Sequence, residues 1–324
     1  MGSSSGNRST TLKKNNKILG LKSIQKWLSF IKFSHTIFAL PFALIGFFLG
    51  MDALQQQARI NEFGHTGLRS ETTNTNFILL FLLVLGCMVF ARSAAMAFNR
   101  YLDRHIDARN PRTKIREIPS GALSANAALI FTIICCALFI VCTYFINSIC
   151  FYLSPVALFI VLFYSYTKRF TSLCHLVLGL GLSLAPIGAY LALVGVFAWL
   201  PILFSFMVLV WVSGFDIIYA LQDEEFDKEN KLHSLPSLFG KENALKLSVG
   251  LHVVCAMLVV YAGIYGNFSW LYWLGALVFC VMLYYQHSIV KPNDLSKVNI
   301  AFMTANGIAS LVFGVFCIAD ILIY

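Results

Sequence analysis

The chain has 324 residues, 58% of them hydrophobic and 12% charged, with a formal net charge of +9. Soluble domains carry about a quarter charged residues, so this composition excludes them and points to a protein that crosses a membrane many times. Membrane topology, together with an anionic ligand or lipid surface, accounts for the basic excess without any nucleic acid.

Residues 1–25 are polar, Ser-rich and basic and lack a short apolar stretch before a cleavage site. They predict a disordered tail rather than a signal peptide. Residues 26–324 read as one all-α transmembrane domain. Apolar runs long enough to cross a hydrocarbon core of roughly 30 Å occur near 27–50, 77–98, 127–147, 151–166, 175–196, 200–221, 244–265, 270–287 and 299–323. They predict about nine helices in a bundle around a central cavity. The Gln- and Thr-rich stretch 51–76 reads as a loop insertion on the outer side.

Every second connection is basic. Lys13, Lys14, Lys17, Lys22 and Lys26 precede the first run; Arg100, Arg104, Arg109, Arg112, Lys114 and Arg116 follow the second. Lys168 and Arg169, then Lys228, Lys231 and Lys241, then Lys291 and Lys297 complete the set. Basic residues mark the cytoplasmic side, so the amino terminus is expected inside and the carboxyl terminus outside. The nine cysteines lie in or beside apolar runs with no Cys-x-x-Cys pair, and read as small apolar fillers.

Two carboxylate pairs of equal spacing, Asp103 with Asp107 and Asp223 with Asp227, stand at the ends of apolar runs on the predicted cytoplasmic side. On a helix, positions i and i+4 share a face, so Asn99 extends the first pair and Tyr219 the second. Two ionised aspartates one turn apart repel unless a cation relieves them, which points to a divalent-metal clamp. Mg²⁺ suits it, because that ion takes oxygen ligands and is commonly held by one or two carboxylates with a substrate's phosphates. The loops after the two pairs share a plan of acids, bases, Pro and Gly, which suggests a duplicated bundle.

Arg112, Lys114, Arg116, Lys168 and Arg169 are the complementary candidates for binding diphosphate oxygens. Arg92 lies inside an apolar run, where a charge costs about 3 kcal/mol or more unless it faces a wet cavity, so it is a candidate ligand of an anionic substrate. Asp216 extends the Tyr219 and Asp223 stripe deeper into the membrane. It is a candidate to orient or deprotonate a phenolic acceptor, with a structural pairing to a partner such as Arg92 as the alternative. His175 and His252 read as packing or interhelical hydrogen bonds, as do Asn299 and Asn306, whereas His35 is a weaker candidate to line the cavity.

At these residues the chain resembles the UbiA superfamily of intramembrane aromatic prenyltransferases. Asn99-Arg-Tyr-Leu-Asp103-Arg-His-Ile-Asp107 matches its first motif and Asp223-Glu-Glu-Phe-Asp227 its second. Ala94-Ala-Met-Ala-Phe-Asn-Arg, Asn110-Pro-Arg-Thr, Arg116-Glu-Ile-Pro-Ser-Gly, Tyr166-Thr-Lys-Arg-Phe-Thr, Gly214-Phe-Asp-Ile-Ile-Tyr and Ser234-Leu-Pro-Ser-Leu-Phe-Gly are similar to the 4-hydroxybenzoate polyprenyltransferase branch. The resemblance implies Mg²⁺-dependent transfer of a polyprenyl group from its diphosphate to a hydroxylated aromatic acid, in the inner membrane, for respiratory quinone synthesis. It implies a metal and diphosphate site of Asn99, Asp103, Asp107, Asp223 and Asp227, with Lys168 and Arg169 near the diphosphate or the acceptor; Asp103, Asp223 and, from its place on the stripe, Asp216 are the catalytic candidates. Phe33-Ser-His-Thr-Ile-Phe-Ala-Leu-Pro resembles instead the enzymes that prenylate 1,4-dihydroxy-6-naphthoate for menaquinone, so that acceptor is the alternative. A cation-coupled transporter is the rival from another class; it would place its ionisable residues near the bilayer midplane.

Overall fold

The structure, a computed structural model, describes residues 38–63 and 76–324. The tail 1–25 and His35 lie outside the described residues. Among the described residues helices account for the secondary structure, apart from an isolated bridge between Lys291 and Asp294. In chain order they are α1 (Leu40–Phe63), α2 (Phe77–Leu102), α3 (Arg104–Arg109), α4 (Ala125–Ile146), α5 (Ser148–Thr167) and α6 (Cys174–Val194). Then come α7 (Trp199–Ala220), a 3₁₀ turn (Leu221–Asp223), α8 (Glu224–Glu229), α9 (Leu235–Tyr265), α10 (Trp270–Ile289), a π-helical turn (Ile300–Ala305) and α11 (Asn306–Ile323).

Seven helical stretches among the described residues are long and apolar enough to cross a bilayer: α2, α4, α5, α6, α7 continued through α8, α9, and the π turn with α11. The other two long helices, α1 and α10, do not meet that measure, so the expected count of nine stands at seven on this criterion. In α10 the residues Trp270, Trp273, Tyr284, Tyr285, Gln286 and His287 lower the hydropathy. In α1 the second half is polar.

That second half corrects the expected insertion. Residues 51–63 continue α1 rather than forming a loop, because Ala, Leu, Gln and Met are good helix formers. The Gln56 amide donates to Asp52 Oδ2 one turn back at 2.7 Å. Residues 64–75 lie outside the described residues. α9 begins earlier than expected, at Leu235, because Ser234 caps it reciprocally with Ser237 and Pro236 fits its first turn. Gly240, at φ 77°, then kinks it.

In lipid, helix association relies on close packing and interhelical hydrogen bonds rather than on apolar burial from water. α1 lies so close to α6 that a Cβ on Gly46 would fall 2.0 Å from Pro186 O. α6 meets α7 the same way, where a Cβ on Gly179 would fall 2.4 Å from Leu209 O. Between α1, α7, α9, α10 and α11 an aromatic core forms around Trp211, Phe42, Phe204, Tyr272, Phe279 and Phe313.

Polar side chains tie this core. Trp211 Nε1–H donates to Asn306 Oδ1 at 3.0 Å. The Asn306 amide donates to Ala301 O and Phe302 O at 3.0 and 3.1 Å, satisfying carbonyls in the π turn. His252 pairs with His287 at 2.7 Å and with Trp211 O at 3.1 Å. The expectation that Asn306 and His252 make interhelical hydrogen bonds holds. All nine cysteines are unbridged, as expected.

Asp320 of α11, 2% exposed, accepts from Ser269 N–H and Tyr272 N–H at 2.8 and 3.1 Å. It supplies the cap that Ser269 does not give to α10. Asp320→Ala is expected to cost about 1 kcal/mol, the usual scale for a lost cap. A lower thermal unfolding temperature in detergent would show it, and an unchanged one would show that water caps α10 equally well.

Candidate active site

The connections after α2, α5 and α7 meet at one end of the bundle and line a cavity of about 310 Å³. Asn99, Asp103, Asp107, Asp223, Asp227, Arg92, Arg112, Lys168, Arg169, Asp216 and Tyr219 all line it. These site residues, with Arg116, are therefore gathered in one place, whichever element carries them; of the other candidates, Lys114 does not line the cavity and His35 lies outside the described residues.

The first motif is not one unbroken stripe. α2 stops at Asp103, at φ −88° and ψ 4°, and α3 restarts at Arg104. The i, i+4 succession survives the break, because Asp103 N–H donates to Asn99 O at 2.9 Å and Asp107 N–H to Asp103 O at 2.8 Å. The Asn99 amide donates to Asp103 Oδ2 at 3.1 Å, orienting that carboxylate. The second motif follows the same plan: α7 tightens into the 3₁₀ turn at Leu221–Asp223 and resumes as α8.

Each site aspartate has a basic partner. Arg169 Nη2 is 3.2 Å from Asp103 Oδ1, Arg116 Nη1 is 2.7 Å from Asp107 Oδ1, and Lys168 Nζ is 2.7 Å from Asp227 Oδ1. Arg112 grips Asp223 with both Nε and Nη2, while the Asn110 amide donates to the same carboxylate at 3.1 Å. Such forked pairs add geometric specificity to charge attraction. Ser234 donates to Asp227 Oδ2 at 2.9 Å. Burial, with Asp107 close by, pushes the Asp103 carboxyl up to about 6, against the opposing pull of Arg169. Burial lowers the Lys168 ammonium but Asp227 more than offsets it, so its pKa lies above the ordinary lysine value.

Among the described residues no group of three or more His, Cys, Asp or Glu side chains stands close enough to hold a metal ion. The donor set nevertheless fits a hard cation. Four carboxylates line one cavity, and Asp107 Oδ2 is buried without a hydrogen-bond partner.

Deeper in the cavity the lining turns aromatic. Arg112 Nη1 donates to Tyr219 OH at 2.9 Å and its guanidinium lies over the Tyr219 ring at 5.2 Å. Tyr219 packs on Phe302 at 4.4 Å, and Phe38 and Phe215 complete the wall. Asp216 does not pair with Arg92. Its Oδ2 is 2.7 Å from His175 Nδ1, so His175 makes the expected interhelical bond but makes it at the cavity wall. Arg92 keeps a buried Nε without a partner.

Arg92, Met96, Tyr164, Leu178 and Leu182 also border a second, apolar chamber of about 390 Å³ between α2, α4, α5 and α6. The polar cavity and the apolar chamber thus share a wall. Lys114 is exposed and lines neither. Sequence reasoning missed Tyr164, whose spacing from Lys168 was a usable signal. It also treated Arg100 as a topology marker, yet Arg100 is 4% exposed, lines the cavity, and has Nε and Nη1 unpartnered.

The model of the UbiA prenyltransferase family matches residues 66–308. The chain belongs to the UbiA prenyltransferase family. It is 31% identical to a 4-hydroxybenzoate octaprenyltransferase of Tolumonas auensis, over 74% of this chain and 82% of that protein. It is 32% identical to one from Aliivibrio fischeri, over 72% of this chain and 81% of that protein. Its fold is that of a UbiA homologue from Aeropyrum pernix K1, at TM-score 0.69 and 25% identity, covering 89% of this chain and 97% of the other. A UbiA homologue from Archaeoglobus fulgidus bound to DMAPP and Mg²⁺ has the same fold, at TM-score 0.67 and 21% identity, covering 92% and 100%. This UbiA-family chain is a multi-pass membrane prenyltransferase, which sets aside the transporter alternative.

The ion pair of Arg112 with Asp223 ties the loop after α3 to the end of α7. Arg112→Ala is expected to loosen that loop, so limited proteolysis should cut residues 110–124 faster than in the unaltered protein. Equal cutting rates would show that Asn110 alone holds the loop.

Proposed function

We propose that this UbiA-family enzyme transfers a polyprenyl group from its allylic diphosphate to the ring of a small hydroxylated aromatic acid of the 4-hydroxybenzoate type, in respiratory quinone synthesis. The observation that carries the proposal is the union in one cavity of four carboxylates, four partner cations and an aromatic wall, next to an apolar chamber. Supporting the substrates are the names of the relatives, 4-hydroxybenzoate octaprenyltransferase, and the DMAPP and GPP bound with Mg²⁺ in the Archaeoglobus homologue.

Asp103 and Asp107 from one motif and Asp223 and Asp227 from the other would hold Mg²⁺. Bound there, the ion would neutralise charge on the diphosphate and make it a better leaving group. Arg112, Lys168 and Arg169 then have a second use. Each now neutralises an aspartate, and each would be free to bind diphosphate oxygens when those carboxylates hold the metal. Asn99 keeps Asp103 oriented through that exchange. Arg92, inside the membrane and unpartnered at Nε, binds an anionic substrate group.

The allylic C–O bond breaks with its electron pair leaving on the diphosphate, and the cation formed is attacked by a ring carbon beside the phenol hydroxyl. Tyr219 and the phenylalanines around it present ring faces to the cation. The cavity walls keep water from quenching it. Asp216 takes the proton that the acceptor loses. The tail of the donor lies in the apolar chamber. The basic connections support a site on the cytoplasmic side, and the quinone-synthesis reading supports an inner membrane. The runner-up acceptor is 1,4-dihydroxy-6-naphthoate, favoured by the text from Phe33 to Pro41.

A labelled allylic diphosphate supplied to the purified enzyme with 4-hydroxybenzoate or 1,4-dihydroxy-6-naphthoate tests the proposal. Product is expected with one acceptor, to vanish on chelation of Mg²⁺, and to fall by at least ~100-fold in Asp103→Ala and Asp227→Ala. Turnover that persists in chelator would sink the metal's role; product with the naphthoate alone would replace the acceptor.

A further inference from the structure

His175 and Asp216 are 41 residues apart in sequence and meet at the cavity wall. Two constraints bring them together. Gly179 lets α6 lie against the α7 backbone, and the Ser213 hydroxyl hydrogen is shared between Leu209 O at 2.7 Å and His175 O at 3.2 Å. The imidazole is held at both nitrogens. Leu235 N–H, at the start of α9, points to Nε2 at 3.4 Å, so Nε2 is the acceptor and Nδ1 carries the hydrogen donated to Asp216 Oδ2 at 2.7 Å.

A pair serving packing alone would be closed on all sides. Here it is asymmetric: the His175 side chain is 3% exposed and the Asp216 side chain 23%. Both line the cavity, and Asp216 Oδ1 has no hydrogen-bond partner among the described residues. The same cavity is lined by Phe38, Phe215, Phe302 and Tyr219, whose rings contact one another at 4.4 to 5.5 Å, Tyr219 through Phe302. An aromatic wall of tilted and edge-on rings in the same cavity as one free carboxylate oxygen suits a ring that bears a hydroxyl.

We infer that His175 is a positioning residue for the acceptor: it holds one oxygen of Asp216 so that the other receives the ring hydroxyl of a phenolic acid seated against this aromatic wall. The inference rests on the prenyl-transfer reading and assigns its acceptor subsite. As the ring carbon beside the hydroxyl bonds to the allylic carbon, the hydroxyl proton passes to Asp216 Oδ1 and the ring becomes a dienone. That carbon then loses its hydrogen as the oxygen is reprotonated, restoring the phenol. The net change is one C–C bond formed, one C–O bond broken and one proton released with diphosphate. His175 touches no reacting atom; it fixes the orientation of the group that does.

The test is steady-state kinetics on the full-length protein, with acceptor and prenyl diphosphate varied separately, for the unaltered enzyme, His175→Phe, His175→Asn and Asp216→Asn. In His175→Phe, kcat/KM for the acceptor is expected to fall on the order of 10- to 100-fold, the scale of a misplaced catalytic group. KM for the prenyl diphosphate and the affinity for inorganic diphosphate should stay unchanged. In His175→Asn, whose amide N–H stands where Nδ1–H stood, most of the loss should be recovered. Adding His175→Phe to Asp216→Asn should cost nothing more. Equal losses in both substrates, no rescue by Asn, or additive losses would overturn the inference. Should His175→Phe fail to fold, Asp216→Asn must by itself show the acceptor-specific loss, or the inference falls. An unaltered enzyme that prenylates no phenolic acid would instead overturn the functional reading.

Discussion

Charge neutralisation inside a low-dielectric cavity is the constraint on which the rest of the structure depends. Asp107, Asp223 and Asp227 are each less than 9% exposed, and a carboxylate so placed is tolerated only when paired and hydrogen-bonded. The partners come from different segments. Arg169 and Lys168 follow α5 and reach the end of α2 and the middle of α8, and Arg112 follows α3 and reaches the 3₁₀ turn after α7. The ion pairs therefore stitch three connections together around the cavity. Removing one partner leaves a buried charge alone, so the residues of the proposed site also hold the fold.

Under the proposed function the same pairing would prepare the site for an anion. Cations already held against the carboxylates need little reorganisation to meet diphosphate oxygens. Arg92 and Arg100 differ from them, since each has buried N–H groups without a partner and both lie on α2. From the carboxylates inward, the lining passes from charged to aromatic to aliphatic, and Arg92 and Tyr164 stand where the polar cavity and apolar chamber share a wall. The proposed donor, with its charged head and greasy tail, would meet matched chemistry in the two cavities.

Rigid packing makes this gradient usable. Gly46 and Gly179 bring α1 and α7 onto α6 at backbone distance, and the Trp211 and Asn306 bond locks the aromatic core behind the cavity. The π turn before α11 places Phe302 against Tyr219. A standard helical register there would rotate Phe302 relative to the residues that follow it.

Much was legible in the sequence because membrane spans and i, i+4 motifs are local patterns. Composition and apolar run length determined the all-helical membrane class, and the two Asp-x-x-x-Asp motifs with Asn99 and Tyr219 determined which side chains gather in the cavity. Helix breaks at Asp103 and Asp223 were not legible, since they arise where loops turn over the cavity and tertiary ion pairs override local periodicity. Nor was the helical state of residues 51–63, whose polarity suggested a loop although their propensity favours a helix. Only the tertiary structure decided which cation meets which aspartate, that Arg100 is buried in the site, and that Asp216 faces His175 rather than Arg92. Those pairings depend on the rotation and spacing of helices far apart in sequence, which no local spacing encodes.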